Sequence, residues 1–284
     1  ILTMPRTLKS LKTPLRYPGG KSKAVPKLLQ YLPNLFQVKE FREPFLGGGS
    51  VSLEITKRYP HIDIWVNDLY EPLYNFWCEL QHNGQELQDA LLGIKSIYCN
   101  PDAARCLFIS SKEQINDSDL SNFDRAVAFY IVNKCSFSGL TESSSFSEQA
   151  SESNFSINGI SRLTEYSEII ERWKITNLSY ESMLCDDKNT FIYLDPPYDI
   201  KDNLYGKKGE MHKRFDHDKF AADCDQHTCP MLISYNSDQI IRDRFYEWTV
   251  GEFAHTYTMR SVGCYNIDQA TRKELVLTNY EMRS

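Results

Sequence analysis

Glu43-Pro44-Phe45-Leu46-Gly47-Gly48-Gly49-Ser50 separates two segments of different pattern. Before the glycines, Phe41–Phe45 reads as a short strand; after them, Ser50–Arg58 (SVSLEITKR) reads as a helix. Three consecutive glycines at a strand-to-helix turn let backbone come close to a ligand, and the first turn of the helix offers free N–H groups. No Gly-Lys-Ser or Gly-Lys-Thr follows, so the loop is not a phosphate-binding P-loop. Ile62–Val66 is a second apolar run and ends in Asn67 and Asp68. Asp68 stands 21 residues after Gly47, the distance at which an acid meets ribose hydroxyls in dinucleotide folds. Strand, glycine loop, helix, strand and acid make the first half of a nucleotide-binding α/β unit, and the expected fold class is α/β.

Outward from this core, residues 24–33 carry Val25, Leu28, Leu29 and Leu32 at helical spacing. Residues 70–135 read as mostly helical. The segment 136–156 holds nine serines in 21 residues, interleaved with Phe137, Phe146 and Phe155. Linkers seldom carry phenylalanine, so a loop or hairpin that meets a partner is expected there rather than an idle tether. A helical pattern resumes near 160 and runs to Trp173. Ile175–Leu178, Phe191–Leu194 and Met231–Tyr235 read as buried strands, and Phe215–Cys224 as a helix. Phe253–Met259 and Glu274–Thr278 suit a terminal antiparallel pair.

The strand at 191–194 ends in Asp195-Pro196-Pro197-Tyr198. Two prolines stiffen the turn and fix the direction of its carbonyls. A carboxylate beside a rigid carbonyl can accept from an amino group, and a tyrosine ring is a platform for a planar base. Four residues alone are equally compatible with a plain Asp-Pro turn.

Apolar residues make up 41% of the 284-residue chain and charged residues 25%, enough apolar bulk to exclude a wholly disordered chain. No run of eighteen apolar residues exists, so no membrane association is expected. The basic N-terminus lacks an apolar signal core, so no secretory signal is expected. Eight cysteines form no CxxC pair and no zinc-ligand spacing, so free thiols in a cytoplasmic protein without a metal are expected. Net charge is −6, but residues 1–39 carry eight basic side chains and no acid. A second basic cluster is Lys201, Lys207, Lys208, Lys213 and Arg214. Two basic patches on an acidic body fit a polyanion held on one face, or equally a solvated face with a charged tail.

Taken together, these motifs resemble the N6-adenine DNA methyltransferases of the DNA adenine methylase (Dam) type. Arg16-Tyr17-Pro18-Gly19-Gly20-Lys21 resembles the family's aromatic-x-Gly-Gly-Lys motif, and Glu43–Ser50 its cofactor loop. Asn133-Lys134-x-x-Phe137-x-Gly139-Leu140 resembles a motif of its DNA-recognition lobe, Asp195–Tyr198 its catalytic tetrad, and Arg272-Lys273-Glu274-Leu275 the start of its C-terminal strand. The resemblance covers residues 12–280. It implies a Rossmann-like S-adenosylmethionine-dependent methyltransferase sheet with an inserted, mostly helical DNA-recognition lobe. The expected division is a catalytic domain of residues 1–70 and 166–284 and a target-recognition lobe of residues 71–165. S-adenosylmethionine is the implied methyl donor, and an adenine flipped out of double-stranded DNA the implied acceptor.

By position, the resemblance assigns catalysis to Asp195, Pro196, Pro197 and Tyr198. It assigns cofactor contact to Tyr17, Lys21, Glu43, Phe45, Gly47, Gly49, Asp68 and Asp195. DNA contact is expected from Arg16, Asn133, Lys134, Phe137, Gly139, Lys207 and Lys208. A restriction endonuclease partner is compatible with the family. Thr141 and Glu142 replace the family's usual aromatic and basic residues, which leaves the target site open, GATC included. Tyr180-Glu181 stands where many members carry Asp-Phe, which leaves the residue near the cofactor's adenine open. Three alternatives remain: a catalytically idle DNA-binding protein that kept the fold, methylation of cytosine N4, whose enzymes usually begin the tetrad with Ser, and an RNA substrate.

Overall fold

Alternate residues of a strand face opposite sides of a sheet, and here both faces are apolar. The computed structural model describes residues 12–17, 20–137, 139, 144–198, 215–255 and 272–282. Seven strands form one sheet: β1 (Glu40–Glu43), β2 (Asp63–Asn67), β3 (Lys174–Thr176), β4 (Thr190–Leu194), β5 (Met231–Asn236), β6 (Thr249–His255) and β7 (Arg272–Thr278). Their order is β3-β2-β1-β4-β5-β7-β6. The first five are parallel, and β7 runs antiparallel between β5 and β6. Phe191, Tyr193, Leu232 and Val276 join the core on one face; Ile192, Leu194, Ile233, Leu275 and Leu277 join the core on the other. The Rossmann-like sheet expected from the sequence is therefore present. From β1 the order runs outward to β2 and β3 on one side and to β4 and β5 on the other. Ligands in such sheets bind beyond the carboxyl ends of the strands at this switch point, where the glycine loop and the Asp195 tetrad both lie.

Several boundaries differ from the sequence expectation, and prolines explain two of them. The 24–33 helix is α1 (Val25–Leu28) continued by a 3-10 turn at Leu29–Tyr31. It stops because Leu32 precedes Pro33 and is extended, at φ −70° and ψ 145°. Strand β1 ends at Glu43, since Pro44 has no N–H for a ladder. The glycine turn leads into α2 (Ser50–Arg58), as read.

The inserted helices are α3 (Glu71–His82), α4 (Gly84–Ile97), α5 (Pro101–Gln114), α6 (Asn122–Cys135), α7 (Glu148–Ser153), α8 (Ile157–Ile160) and α9 (Leu163–Ile169). Helix α6 is buried nearly all round, from Ala126 to Asn133 and at Cys135, and packs between α3 and α5. Its Phe129 stacks on Phe76 at 5.6 Å, and Trp77 meets Trp173 at 5.6 Å. Burying each such ring contributes roughly 1.5–3 kcal/mol. These rings belong to the same apolar cluster as Phe41, Ile64 and Val66 of the sheet, so the core runs without a break from sheet to insertion.

The serine-rich segment is ordered where it is described. Phe137 N donates to Ser145 O and Ser147 N to Cys135 O, both at 2.9 Å, pairing the arms of a hairpin around the Ser136–Phe146 bridge. Phe155 is fully buried and Phe146 lies half-buried beside Phe108; only Phe137 is exposed. Two of the three phenylalanines therefore build the core instead of facing a partner. After β4 come α10 (His217–Asp225), capped by Asp216 accepting from Lys219 N at 2.9 Å, and α11 (Gln239–Arg244).

Gly49 has φ +70°, and a Cβ there would sit 3.0 Å from Cζ2 of buried Trp77. Gly49→Ala should cost about 1–2 kcal/mol from the left-handed backbone alone, lowering the thermal midpoint by roughly 2–8 °C. An unchanged midpoint would mean that this turn relaxes freely.

Candidate active site

The glycine loop is shaped by the protein's own side chains. Gly47 has φ +51°, and a Cβ on it would lie 3.0 Å from Cε1 of Tyr17; one on Gly48 would lie 3.2 Å from Cβ of Tyr17. Trp77 Nε1 donates to Gly47 O at 3.2 Å from behind. The loop is thus held between Tyr17 and an indole. Asp68, at the end of β2, accepts from Gly47 N through Oδ2 at 2.9 Å and from Tyr70 N through Oδ1 at 3.0 Å. It ties the loop to the start of α3, and each oxygen keeps a second lone pair. Burial pushes its pKa up to about 6 against these two backbone bonds.

Glu43, buried at the end of β1, accepts through Oε2 from Ser52 N at 3.1 Å and from the Ser52 hydroxyl. Ser52 is the third residue of α2, so Glu43 caps that helix from a neighbouring strand. Burial pushes its carboxyl up to about 8, partly opposed by Ser52. Phe45, just beyond, stacks on Tyr180 at 5.7 Å and meets Phe215 and Phe220 edge-on. Tyr180 in turn donates its hydroxyl to Asp223 Oδ2 at 2.7 Å.

The second half of the site is electrostatic. Lys21, only 4% exposed, places Nζ 3.1 Å from Asp195 Oδ1 and 2.9 Å from Glu274 Oε1. It also donates to the Tyr198 hydroxyl and lies 4.6 Å from the centre of that ring. Ser234 Oγ donates to the same Asp195 Oδ1 at 3.0 Å. The single hydroxyl proton of Ser234 is thereby used, so Tyr193, 2.9 Å away, must donate to Ser234. Two donors converge on Oδ1, and Oδ2 accepts from none of the described residues. Burial pushes Asp195 up to about 6; Lys21 pulls it down and Glu274 pushes it up. Pro196 is buried and Pro197 half-buried, which fixes the turn between Asp195 and Tyr198.

The residues expected at the DNA form a separate knot. Asn133, 1% exposed, accepts from Arg16 N at 2.8 Å and donates to Arg16 O and, at 3.0 Å, to Gly139 O. Arg16 Nη2 donates to Phe137 O at 3.1 Å and Nη1 to Ser136 O. Gly139 has φ +75°, and a Cβ there would lie 2.7 Å from Arg16 O, so only glycine fits. Lys134 lies 5.4 Å from the Tyr130 ring, and burial lowers its pKa to about 8, with Arg16 adding to the effect. Lys207 and Lys208 lie outside the described residues, as do Pro18, Gly19, Thr141 and Glu142. Among the described residues no helix could cross a membrane, and no group of three His, Cys, Asp or Glu could hold a metal.

Sequence reasoning missed Ser234, Tyr193 and Trp77. It placed Glu274 only at a strand start, although Glu274 touches both Lys21 and Tyr198. A buried acid inside an apolar strand (Glu274-Leu-Val-Leu) was the available signal.

Residues 17–259 match the family described as D12 class N6 adenine-specific DNA methyltransferase. The chain is 23% identical over 198 residues to the type II methyltransferase M.MjaIII of Methanocaldococcus jannaschii, covering 65% of this chain and 68% of that one. It is 26% identical to a DNA adenine methylase of Vibrio cholerae, covering 67% of this chain and 66% of the relative, about two thirds of each. To the type II methyltransferase M1.LlaDCHI of Lactococcus lactis it is 20% identical, over 93% and 94% of the two chains.

The carboxyls make opposite predictions. Glu43 is held at about 8 in the fold, well above the usual range for Glu of about 4.3 in an unfolded chain. Its contribution is fully present below the unfolded pKa and is lost as pH rises through about 8. Glu43→Gln, which keeps an oxygen for Ser52, should match the wild type near pH 4. Near pH 9 it should exceed it by more than about 1.4 kcal/mol, the value of one pKa unit. Asp68→Asn should instead lose about 1–3 kcal/mol, because an amide nitrogen would face a backbone N–H. Denaturant melts at the two pH values read both effects, and identical curves would refute them.

Proposed function

The chain belongs to the D12 class of N6 adenine-specific DNA methyltransferases. On that premise we propose that it methylates adenine N6 at a specific site in double-stranded DNA, with S-adenosylmethionine as donor. The observation that carries this reading is the Asp195 carboxylate at the switch point, which takes both of its donors, Lys21 and Ser234, on Oδ1.

The donor fits the charge of the site. Asp68 and Asp195 have carboxyl groups raised by burial, and Lys21 is one ammonium shared between Asp195 and Glu274. A cationic ligand relieves that imbalance. When bound, S-adenosylmethionine supplies a methyl group on a sulfonium. Tyr17, Gly47, Gly49 and Asp68 would hold it at the glycine loop, with Glu43 and Phe45 behind and Lys21 and Asp195 on the acceptor side.

Adenine N6 is a poor nucleophile because its lone pair is delocalised into the ring. Asp195 Oδ2 and the Pro196 carbonyl accept its two hydrogens and favour a pyramidal nitrogen. Positive charge then grows on N6 beside a carboxylate, so stabilisation increases toward the transition state. A carboxyl raised to about 6 is also a better acceptor for the proton that N6 sheds than an ordinary Asp. Tyr198 stacks on the extruded base and offsets part of an unstacking cost of a few kcal/mol. Exposed Phe137, carried by the Arg16–Asn133–Gly139 knot, is the aromatic that meets the duplex, with Arg16 and Lys134 beside it. Lys207 and Lys208 supply phosphate contacts. The type II names of two relatives support a restriction endonuclease partner.

Nucleosides from DNA treated with the protein and labelled S-adenosylmethionine should contain labelled N6-methyladenine. Label in N4-methylcytosine, or none, would overturn the reading in favour of the cytosine enzyme or the idle binder. Asp195→Ala should lower turnover roughly a hundredfold or more, about 3 kcal/mol, while DNA binding persists. Because the carboxylate form is required, kcat/KM should hold above pH 6 and fall as pH drops through about 6. Phe137→Ala should change which sites are methylated, read by sequencing modified bases on a plasmid; an unchanged motif would place recognition elsewhere.

A further inference from the structure

Four polar groups meet above the sheet, and three of them hang from the N-terminal segment or the turn after β4. The fourth, Glu274, sits on a strand. It lies on β7, opposite Asn236 of β5, and is 0% exposed. Residues 274 and 276 share a face, and Val276 belongs to the core that includes Tyr193. Glu274 therefore rises from the same face of the sheet as Tyr193 and Ser234. Its Oε1 accepts from Lys21 Nζ at 2.9 Å and from the Tyr198 hydroxyl. A carboxylate so deep is tolerated only when paired, and its pairing ties two loop-borne groups to a rigid ladder.

We propose that Glu274 is a positioning residue of the methyl-transfer site, fixing Lys21 on Asp195 Oδ1 and the Tyr198 ring at one inclination to the base. The inference rests on the methyltransferase reading above and extends it to a residue on another strand. Tyr198 has to be tyrosine for a reason besides stacking: its hydroxyl is the handle by which Glu274 and Lys21 hold the ring. Two carboxylates, Glu274 fully buried and Asp195 half-buried, also share one ammonium, so Glu274 opposes ionisation of Asp195. Among the described residues, the groups facing Asp195 are Lys21 from the N-terminal segment, Glu43 at the end of β1, Tyr193 of β4, Ser234 of β5 and Glu274 of β7. Removing the charge of Glu274 therefore lets Asp195 ionise at lower pH.

Wild-type protein, Glu274→Gln, Tyr198→Phe and the double variant are compared by steady-state kinetics from pH 5 to 8. The expected result for Glu274→Gln is a kcat lower by about tenfold, KM values within about threefold, and an acid limb moved down by about half a pH unit or more. Tyr198→Phe should lose a similar factor, and the double variant little more, because both changes break one unit. An unmoved acid limb in a folded Glu274→Gln protein overturns the proposal, as does additive loss in the double variant. If Glu274→Gln does not fold, Tyr198→Phe decides, since undiminished kcat shows that the hydroxyl holds nothing. A wild type that makes no N6-methyladenine instead fails the underlying reading.

Discussion

One ammonium group stands between a buried carboxylate and a half-buried one, and the site depends on how it is shared. Lys21 is closer to Glu274 than to Asp195, 2.9 Å against 3.1 Å, and is almost completely excluded from water. Leaving Asp195 without that cation would push its carboxyl further toward the neutral form, which carries an O–H donor and is a weaker acceptor than the carboxylate. Leaving Lys21 without the carboxylates would bury an unpaired charge, a loss of several kcal/mol. The arrangement exists because the sheet brings positions 21, 195 and 274 together. The switch point puts the turn after β4 beside the glycine loop, and antiparallel β7 carries Glu274 back toward the same end.

The same economy of contacts joins the insertion to the N-terminal segment. Asn133 spends its side-chain amide on both backbone groups of Arg16 and on Gly139. Four residues later in the chain from Arg16, Gly20 turns back onto Tyr17 O at 2.9 Å, and Lys21 follows. The segment that reaches the serine-rich hairpin is thus the one that delivers Tyr17 to the glycine loop and Lys21 to Asp195. The hairpin and the Asp195 turn are mechanically adjacent, and a displacement at Arg16 has only five residues to travel before it reaches the shared ammonium.

Much of this was legible in the sequence, and the remainder was hidden for physical reasons. Glycine loops and Asp-Pro-Pro-Tyr announce themselves because backbone geometry restricts which residues fit. Ser234 was invisible, because one hydroxyl within Met231-Leu-Ile-Ser-Tyr reads as a tolerated core residue until the strand order puts Asp195 next to it. Glu274 was read as the start of a strand, since its partners lie more than seventy and two hundred residues away. The serine-rich segment was read as a loop or hairpin, and part of it is a hairpin, but its local roles were not legible. Ser147 and Ser156 are helix caps, accepting from Ala150 N at 3.2 Å and Gly159 N at 3.1 Å, and Phe155 is core. Part of its serine content is the punctuation of two short helices.

The Asp195 carboxyl is raised by burial yet kept ionised by Lys21 at neutral pH. A carbon-13 titration of the side-chain carboxyl of Asp195, assigned with Asp195→Asn, measures this directly. A midpoint near 6 in the wild type, moving upward in Lys21→Met, is the expected result. A midpoint in the ordinary aspartate range, about 3.9, unmoved by Lys21→Met, would contradict it.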